Sequence, residues 1–488
     1  MADVAARRPL AGIAIAVGLL LLVTASRYGY HRDELYFIAA GDHPAFGYTD
    51  QPPLVPLLAW AMDAISAGSL TVFRLPSAIA AALTVFLTGL IAYELGGSRR
   101  AQILASVCMA VASITYAVGH LVSTTTYDLL VWAALSWLLI RAVRDDGRIW
   151  LVVGVVAGIG LQVKVLVAFL LFAVAVSIVL AGPRSVLRSR WMWCGGLIAV
   201  ALWSPHLLWQ AQNEWPQVQL ADSIAAGNSG TSEPRWVFLP AQLVLVSPLL
   251  FPIWMVGWWQ FARSNELRAW RFFAVSYVVL AVVFIATGGK PYYIAGLYPV
   301  LLAAGAEPTL RWVERGRARL ALLGVAVVGS LAAAVFLFLP VVPVNSLNDA
   351  GILDINYDAG ETVGWPEFAD TVAGVVKDNT SGAERPIVLA GNYGEAGAML
   401  RYRPNAASVF SVHNSFWTWG PPPEDTSTAV VVGMSQDQLY RWFERVEPAA
   451  TIDNGAGVDN DEQGEQIWVC SGPIEPWASM WPEMRRLG

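Results

Sequence analysis

Two adjacent carboxylates, Asp33 and Glu34, stand in the heptapeptide HRDELYF shortly after the first long apolar run. Asp42, His43 and Asp50 follow in the same polar stretch. Further along, isolated polar residues recur at the margins of other apolar runs: Arg74, then His120 and Asp128, then Lys164, then His206 with Asn213 and Glu214, and finally Lys290 with Tyr292 and Tyr293. A charge at a membrane boundary is costly unless it is paired or used. Carboxylates there suit proton transfer or metal binding, and lysine or arginine suits a phosphate. For any one of these residues alone, a solvated loop end is the simpler reading. Neighbours on a helix point about 100° apart, so only one of Asp33 and Glu34 need face a cavity. Lys164 and Asp128 are harder to dismiss, because each is followed by an apolar run. They could still pair with each other.

The elements that must position these groups are written in the composition. The chain has 488 residues, 56% hydrophobic and 14% charged, against about 25% charged in a soluble domain. A net charge of −6 argues against a nucleic-acid partner. Cys108, Cys194 and Cys470 are too dispersed for a disulfide framework or a cysteine metal site. The first apolar run lacks a small-residue cleavage site, so it reads as a span rather than a signal peptide. Apolar runs of spanning length fall near 10–26, 73–95, 101–119, 127–144, 149–163, 165–181, 192–209, 236–259, 270–287, 291–306 and 320–340. They predict a polytopic α-helical membrane protein with about 11 transmembrane helices. The pair 149–163 and 165–181 requires a turn at Lys164, with one long tilted helix as the rival.

With a cytoplasmic N-terminus, the inner connections between spans hold 17 arginines, while the outer ones hold six basic residues: Arg27, Arg32, Arg74, Lys164, Arg235 and Lys290. That asymmetry follows the positive-inside rule, and fusing 149–181 would put the basic loop 184–190 outside. The transmembrane domain is therefore expected over 1–340. Its first outer loop, 27–72, carries an interfacial helix at 53–68, and 205–235 also faces outward. Residues 341–488 form a small extracytoplasmic α/β domain, with strands at 386–390, 407–412 and 428–433 and helices at 365–378 and 435–446. On this topology, acids and bases from six distant stretches reach one depth at the outer boundary.

The acidic pair, then GYTDQPPLVPLL (47–58) and RLPS (74–77), resembles the GT-C glycosyltransferases, specifically family 39. That family includes the protein O-mannosyltransferases and the lipid A aminoarabinose transferases. The resemblance continues through STTTYDLL (123–130), GLQVKVLV (160–167), SPHLLWQAQNEWP (204–216) and GGKPYYIAGLYPVLLA (288–303). In the tail it reaches NYGEAGAML (392–400) and SVHNSFWTWGPPP (411–423).

The resemblance implies an inverting transfer of a sugar from a polyprenyl-phosphate carrier to a hydroxyl of a lipid, cell-wall glycan or protein, on the outer face of a bacterial inner membrane. It implies Asp33 as general base, with Glu34 beside it. The donor phosphate calls for cations near the bilayer surface, for which Arg74, Lys164 and Lys290 are candidates together with Tyr292. Asp128, Tyr293, Glu395, His413 and Asn414 are candidate substrate-binding residues. Some relatives hold a divalent metal ion on a loop acid and a later histidine, places that Asp50 and His206 fill here. No nucleotide or redox cofactor is implied. The lipid A-modifying relatives carry a lysine where this chain has Gln51, one phosphate-binding cation fewer.

The competing class is a transporter or flippase of a lipid-linked or small solute. It would need charges through the depth of the membrane or symmetrical broken helices. The chain has no internal repeat, and its ionisable residues collect at one side.

Overall fold

The computed structural model describes residues 5–145, 147–229, 232–381 and 385–488. Every predicted apolar run lies on helix. Among the described residues, six helices are long and apolar enough to cross a membrane: Arg7–Thr24, Leu75–Glu94, Thr124–Asp145, Arg190–Gln212, Arg268–Thr287 and Arg317–Phe338. The total is eight if two bent pairs are each one span. The expected count of 11 is therefore not reached by length and composition. Ile149–Leu161 and Leu166–Ala181 are shorter, separate helices that turn at residues 162–165. The run 236–259 breaks into Arg235–Val246 and Phe251–Arg263, bent by 108°. Ser247 at the break has φ 151, and Pro248 follows it without an N–H to continue the ladder.

These helices pack closely where side chains are absent. A Cβ on Gly154 would strike the backbone of Gly195, and one on Gly195 would strike the Trp150 carbonyl. The helices Ile149–Leu161 and Arg190–Gln212 therefore touch backbone to backbone, as small residues permit in membranes.

The first loop forms the helix Arg32–Gly41, capped by His31, and the apolar helix Leu54–Ser66, which matches the interfacial helix expected at 53–68. The C-terminal domain carries a five-stranded sheet: β1 (Ile387–Ala390), β2 (Val409–Ser411), β3 (Thr428–Val432), β4 (Phe443–Thr451) and β5 (Gln466–Pro473). The strand order is β2-β1-β3-β5-β4, with β2, β1 and β3 parallel and β5 antiparallel to both β3 and β4. The helix expected over 435–446 is confined to Gln436–Leu439; a turn follows, and residues 443–446 open β4. Leu439, Phe443 and Val446 are spaced like one face of a helix, yet pairing with β5 draws the last two into the sheet. Tertiary pairing outweighs the local period here.

One apolar cluster joins the first loop to this domain. Leu35, Tyr36 and Phe37 pack with Trp365, Phe368, Ala396 and Met399. Gly397 lies against the Leu35 backbone, where a side chain would not fit. The helix carrying Asp33 is thus gripped from both sides.

Candidate active site

The helix Arg32–Gly41 begins with a capping box in which the Glu34 carboxylate accepts the His31 N–H at 2.9 Å. Glu34 is fully buried and saturated. Its Oε1 accepts from Arg74 Nε (2.9 Å) and the Val122 N–H (2.8 Å), and its Oε2 from Arg74 Nη2 (2.6 Å). Burial opposes its charge, but Arg74 and the two backbone N–H groups outweigh burial and hold its pKa below the ordinary glutamate value. Arg74 is as fully engaged, donating also to the carbonyls of Ala25 (2.6 Å) and Gly29 (2.8 Å). The pair expected to serve catalysis and phosphate binding is instead bound to itself. It ties the first span, the loop helix and the residues ahead of the fourth span together.

Asp33, one position earlier, turns elsewhere and is partly exposed. Its Oδ1 accepts the hydroxyl of Tyr393 at 2.8 Å, from the helix Tyr393–Tyr402 of the C-terminal domain. Asp33 lies within electrostatic range of both Lys164 and Lys290. Lys164 donates to Thr125 Oγ1 (2.7 Å) and sits over the rings of Tyr292 (5.0 Å) and Tyr293 (5.8 Å). Asp128 neighbours Lys164 and accepts the Trp132 indole N–H at 2.9 Å. Lys290 makes no ion pair within 4 Å among the described residues, and burial lowers its pKa. Asp33, Lys164, Lys290, Tyr292, Tyr293 and Asp128 are therefore brought together, whereas Arg74 and Glu34 are withdrawn from them.

Asp50 lies half-buried beside this group. Its Oδ1 lies 2.8 Å from the Tyr36 hydroxyl, and Asn414 Nδ2 donates to its Oδ2 at 3.3 Å. Burial raises its pKa to about 7 against those hydrogen bonds. His206 has its two ring nitrogens 3.1 Å from the Phe46 carbonyl and 3.1 Å from Gln217 Oε1. Both residues of the expected metal pair are thus turned to partners of their own. No group of three or more His, Cys, Asp or Glu among the described residues is arranged to hold a metal ion. The pair does not fit a metal centre.

In the C-terminal domain, Glu395 caps its own helix by accepting the Asn392 N–H at 3.0 Å, and burial raises its pKa to about 7. His413 stacks on Tyr393 at 4.9 Å, with burial lowering its pKa to about 3, so the ring is neutral. Asn414 adopts a left-handed conformation (φ 45).

Three participants were not singled out from sequence. Tyr36 stacks on Tyr393 at 4.6 Å and reaches Asp50. It lies three residues past Asp33, a spacing that shares a helix face. Arg32 pairs with Asp461 (3.0 Å) and Glu361 (3.2 Å), and Tyr393 meets Asp33. Those contacts join residues more than 300 positions apart, which no local pattern announces.

Residues 50–209 match the family described as dolichyl-phosphate-mannose-protein mannosyltransferase. Among solved structures, the chain is similar to ArnT from Cupriavidus metallidurans bound to undecaprenyl phosphate, at 15% identity and a TM-score of 0.61, over 95% of this chain and 99% of that one. It is similar to arabinofuranosyltransferase AftD from Mycobacteria, at 15% identity and a TM-score of 0.51, over 96% of this chain and 42% of that one. It is also similar to the Archaeoglobus fulgidus oligosaccharyltransferase tethered with an acceptor peptide, at 11% identity and a TM-score of 0.50, over 82% and 63% of the two chains. No curated protein matches the chain in sequence. The three structures are of GT-C glycosyltransferases, and the chain has the GT-C fold.

Proposed function

We propose that this protein is a membrane glycosyltransferase that moves a sugar from a polyprenyl-phosphate carrier to an acceptor hydroxyl, with inversion at the anomeric carbon. The observation that carries the reading is the meeting of one partly exposed carboxylate, Asp33, with two lysines from distant loops at the polar end of the spans. The family match over 50–209 and the GT-C fold support it.

In this reading the donor tail lies between helices and its phosphate faces Lys164 and Lys290. Asp33 takes the proton of the acceptor hydroxyl as its oxygen bonds to the anomeric carbon. The bond from that carbon to the phosphate oxygen breaks, and polyprenyl phosphate leaves with the electron pair. The two ammonium groups stabilise the charge that grows on the leaving phosphate, in a site screened from water. Tyr292 and Tyr293 hold Lys164 in place through cation–π contact. Glu34 and Arg74 position the Asp33 helix and do not touch substrate.

The site belongs to the extracytoplasmic face of a bacterial inner membrane, with the C-terminal domain over it, as the distribution of arginines supports. Because the acids and lysines singled out gather at one end, surface chemistry is favoured over passage of a solute. The test is a comparison of cell-envelope glycans, by mass spectrometry, between a strain deleted for this protein and its parent. Loss of one hexose or pentose unit is expected, restored by the wild-type chain and not by Asp33→Asn. An unchanged envelope, or restoration by Asp33→Asn, overturns the reading.

A further inference from the structure

A cavity of about 620 Å³ is lined by the C-terminal domain, by Arg32 of the first loop, by Ser223 of the helix Pro216–Ala225 and by Asn228 just after that helix. Its size lies in the range of small-ligand sites. Tyr393 lines it and also donates to Asp33 Oδ1 at 2.8 Å, and Arg32 is the chain neighbour of Asp33. Asp33 itself does not line the cavity; Tyr393 links the two.

Its walls are unlike those of a lipid groove. Leu487 is the only aliphatic side chain among the described lining residues, which include three arginines, Asp461, Glu465 and Glu395. Arg32 Nε and Arg485 Nε are buried donors with no hydrogen-bond partner among the described residues. Donors and acceptors alternate across one space. An acyl chain placed here would desolvate charges and return no hydrogen bonds, at a cost of several kcal/mol per ion. A polyol satisfies both kinds of group, because each hydroxyl donates and accepts.

We propose that this cavity receives the hydroxyl-rich end of a glycan acceptor, beside the Tyr393 that holds Asp33. The inference rests on the glycosyltransferase reading above and names the acceptor class that the reading leaves open. The lysines come from the turns between spans, whereas most of the cavity wall comes from the C-terminal domain.

The full-length protein in detergent is titrated with a panel of neutral trisaccharides, among them mannotriose and arabinotriose, and with a threonine-rich peptide, by saturation-transfer NMR. Undecaprenyl phosphate, titrated by thermal shift, reports donor-site integrity and folding. Ser223→Trp and the exposed Asn228→Trp fill the cavity without touching Asp33 or either lysine. At least one saccharide is expected to bind, and each tryptophan variant to weaken it about tenfold or more, a loss of ~1.4 kcal/mol, with the lipid response unchanged. No saccharide signal, binding of the peptide instead, or saccharide binding that survives both variants overturns the proposal. A lost lipid response in the wild type, with saccharide binding still blocked by tryptophan, sinks the donor reading and leaves the carbohydrate site standing.

Discussion

Glu34→Gln separates the roles of the two neighbouring acids. The Glu34 carboxylate takes four hydrogen bonds, two of them from Arg74, with no exposure to solvent. A glutamine keeps one oxygen, and its NH2 must face a guanidinium or a backbone N–H, donor against donor. Arg74 is left as a buried cation without a counter-charge. Breaking one partner of a buried pair costs about 3–5 kcal/mol. The predicted result is a large fall in the unfolding temperature measured in detergent, with activity per folded molecule largely kept. Asp33→Asn should do the reverse, since Asp33 is partly exposed and has one hydrogen bond from Tyr393, worth ~1.5–3 kcal/mol at most. The double variant Glu34→Gln/Arg74→Met should regain much of the lost stability, because no charge is then stranded. Acid supplies a second axis. The folded Glu34 pKa lies below the usual 4.5, so its stabilisation is fully present above that value and is lost as pH falls through the lower folded value. A Glu34→Gln protein that unfolds like wild type yet transfers no sugar would refute the argument and return Glu34 to the chemistry.

Three further outcomes follow from the same geometry. Lys290→Ala and Lys164→Ala should each weaken undecaprenyl phosphate binding about tenfold to a hundredfold, the loss of one contact to a charged group, read as a shifted thermal-stabilisation midpoint. Tyr393→Phe should lower kcat about tenfold with the unfolding temperature little changed, because it frees Asp33 to rotate while both ring stacks remain; an undiminished kcat would remove Tyr393 from the site. Glu395 has a folded pKa raised to about 7 from 4.5, so the native state holds a proton that the unfolded chain has lost, and stability falls as pH rises through that window. Glu395→Gln should flatten this slope in urea or thermal titrations between about pH 4.5 and 7, and a slope identical to wild type would show that Glu395 is not its source.

How much of this was legible depends on how far apart the interacting residues are in sequence. Hydropathy located the apolar helical runs of the first 340 residues and the turn at Lys164, because lipid exposure imposes one local rule on each span. It missed the 108° bend after Val246, since a window average does not register a backbone break. Ser247-Pro248 was the available signal. The three parallel strands were readable from their β-branched runs. β4 was not, because its partner β5 decides its state from twenty residues away. At the site, the gathering of Asp33, Lys164 and Lys290 followed from topology alone. Their separation from Arg74 did not, because the choice between pairing and use is made by distances that no spacing encodes.

The placement of Asp33 has a simple physical basis. Glu34 is the point at which the loop helix is nailed to the spans, through a buried guanidinium that also holds two backbone carbonyls. With residue 34 pointing into the bundle, a helix turn of about 100° per residue aims residue 33 out of it. Leu35 and Tyr36, packed against the C-terminal domain, remove the remaining freedom of the helix to roll. A charged pair fixes the azimuth and an apolar cluster holds it. The Asp33 carboxylate ahead of them is thereby kept in one direction with a single side-chain hydrogen bond, from Tyr393 to its Oδ1, and its Oδ2 is left able to accept a proton.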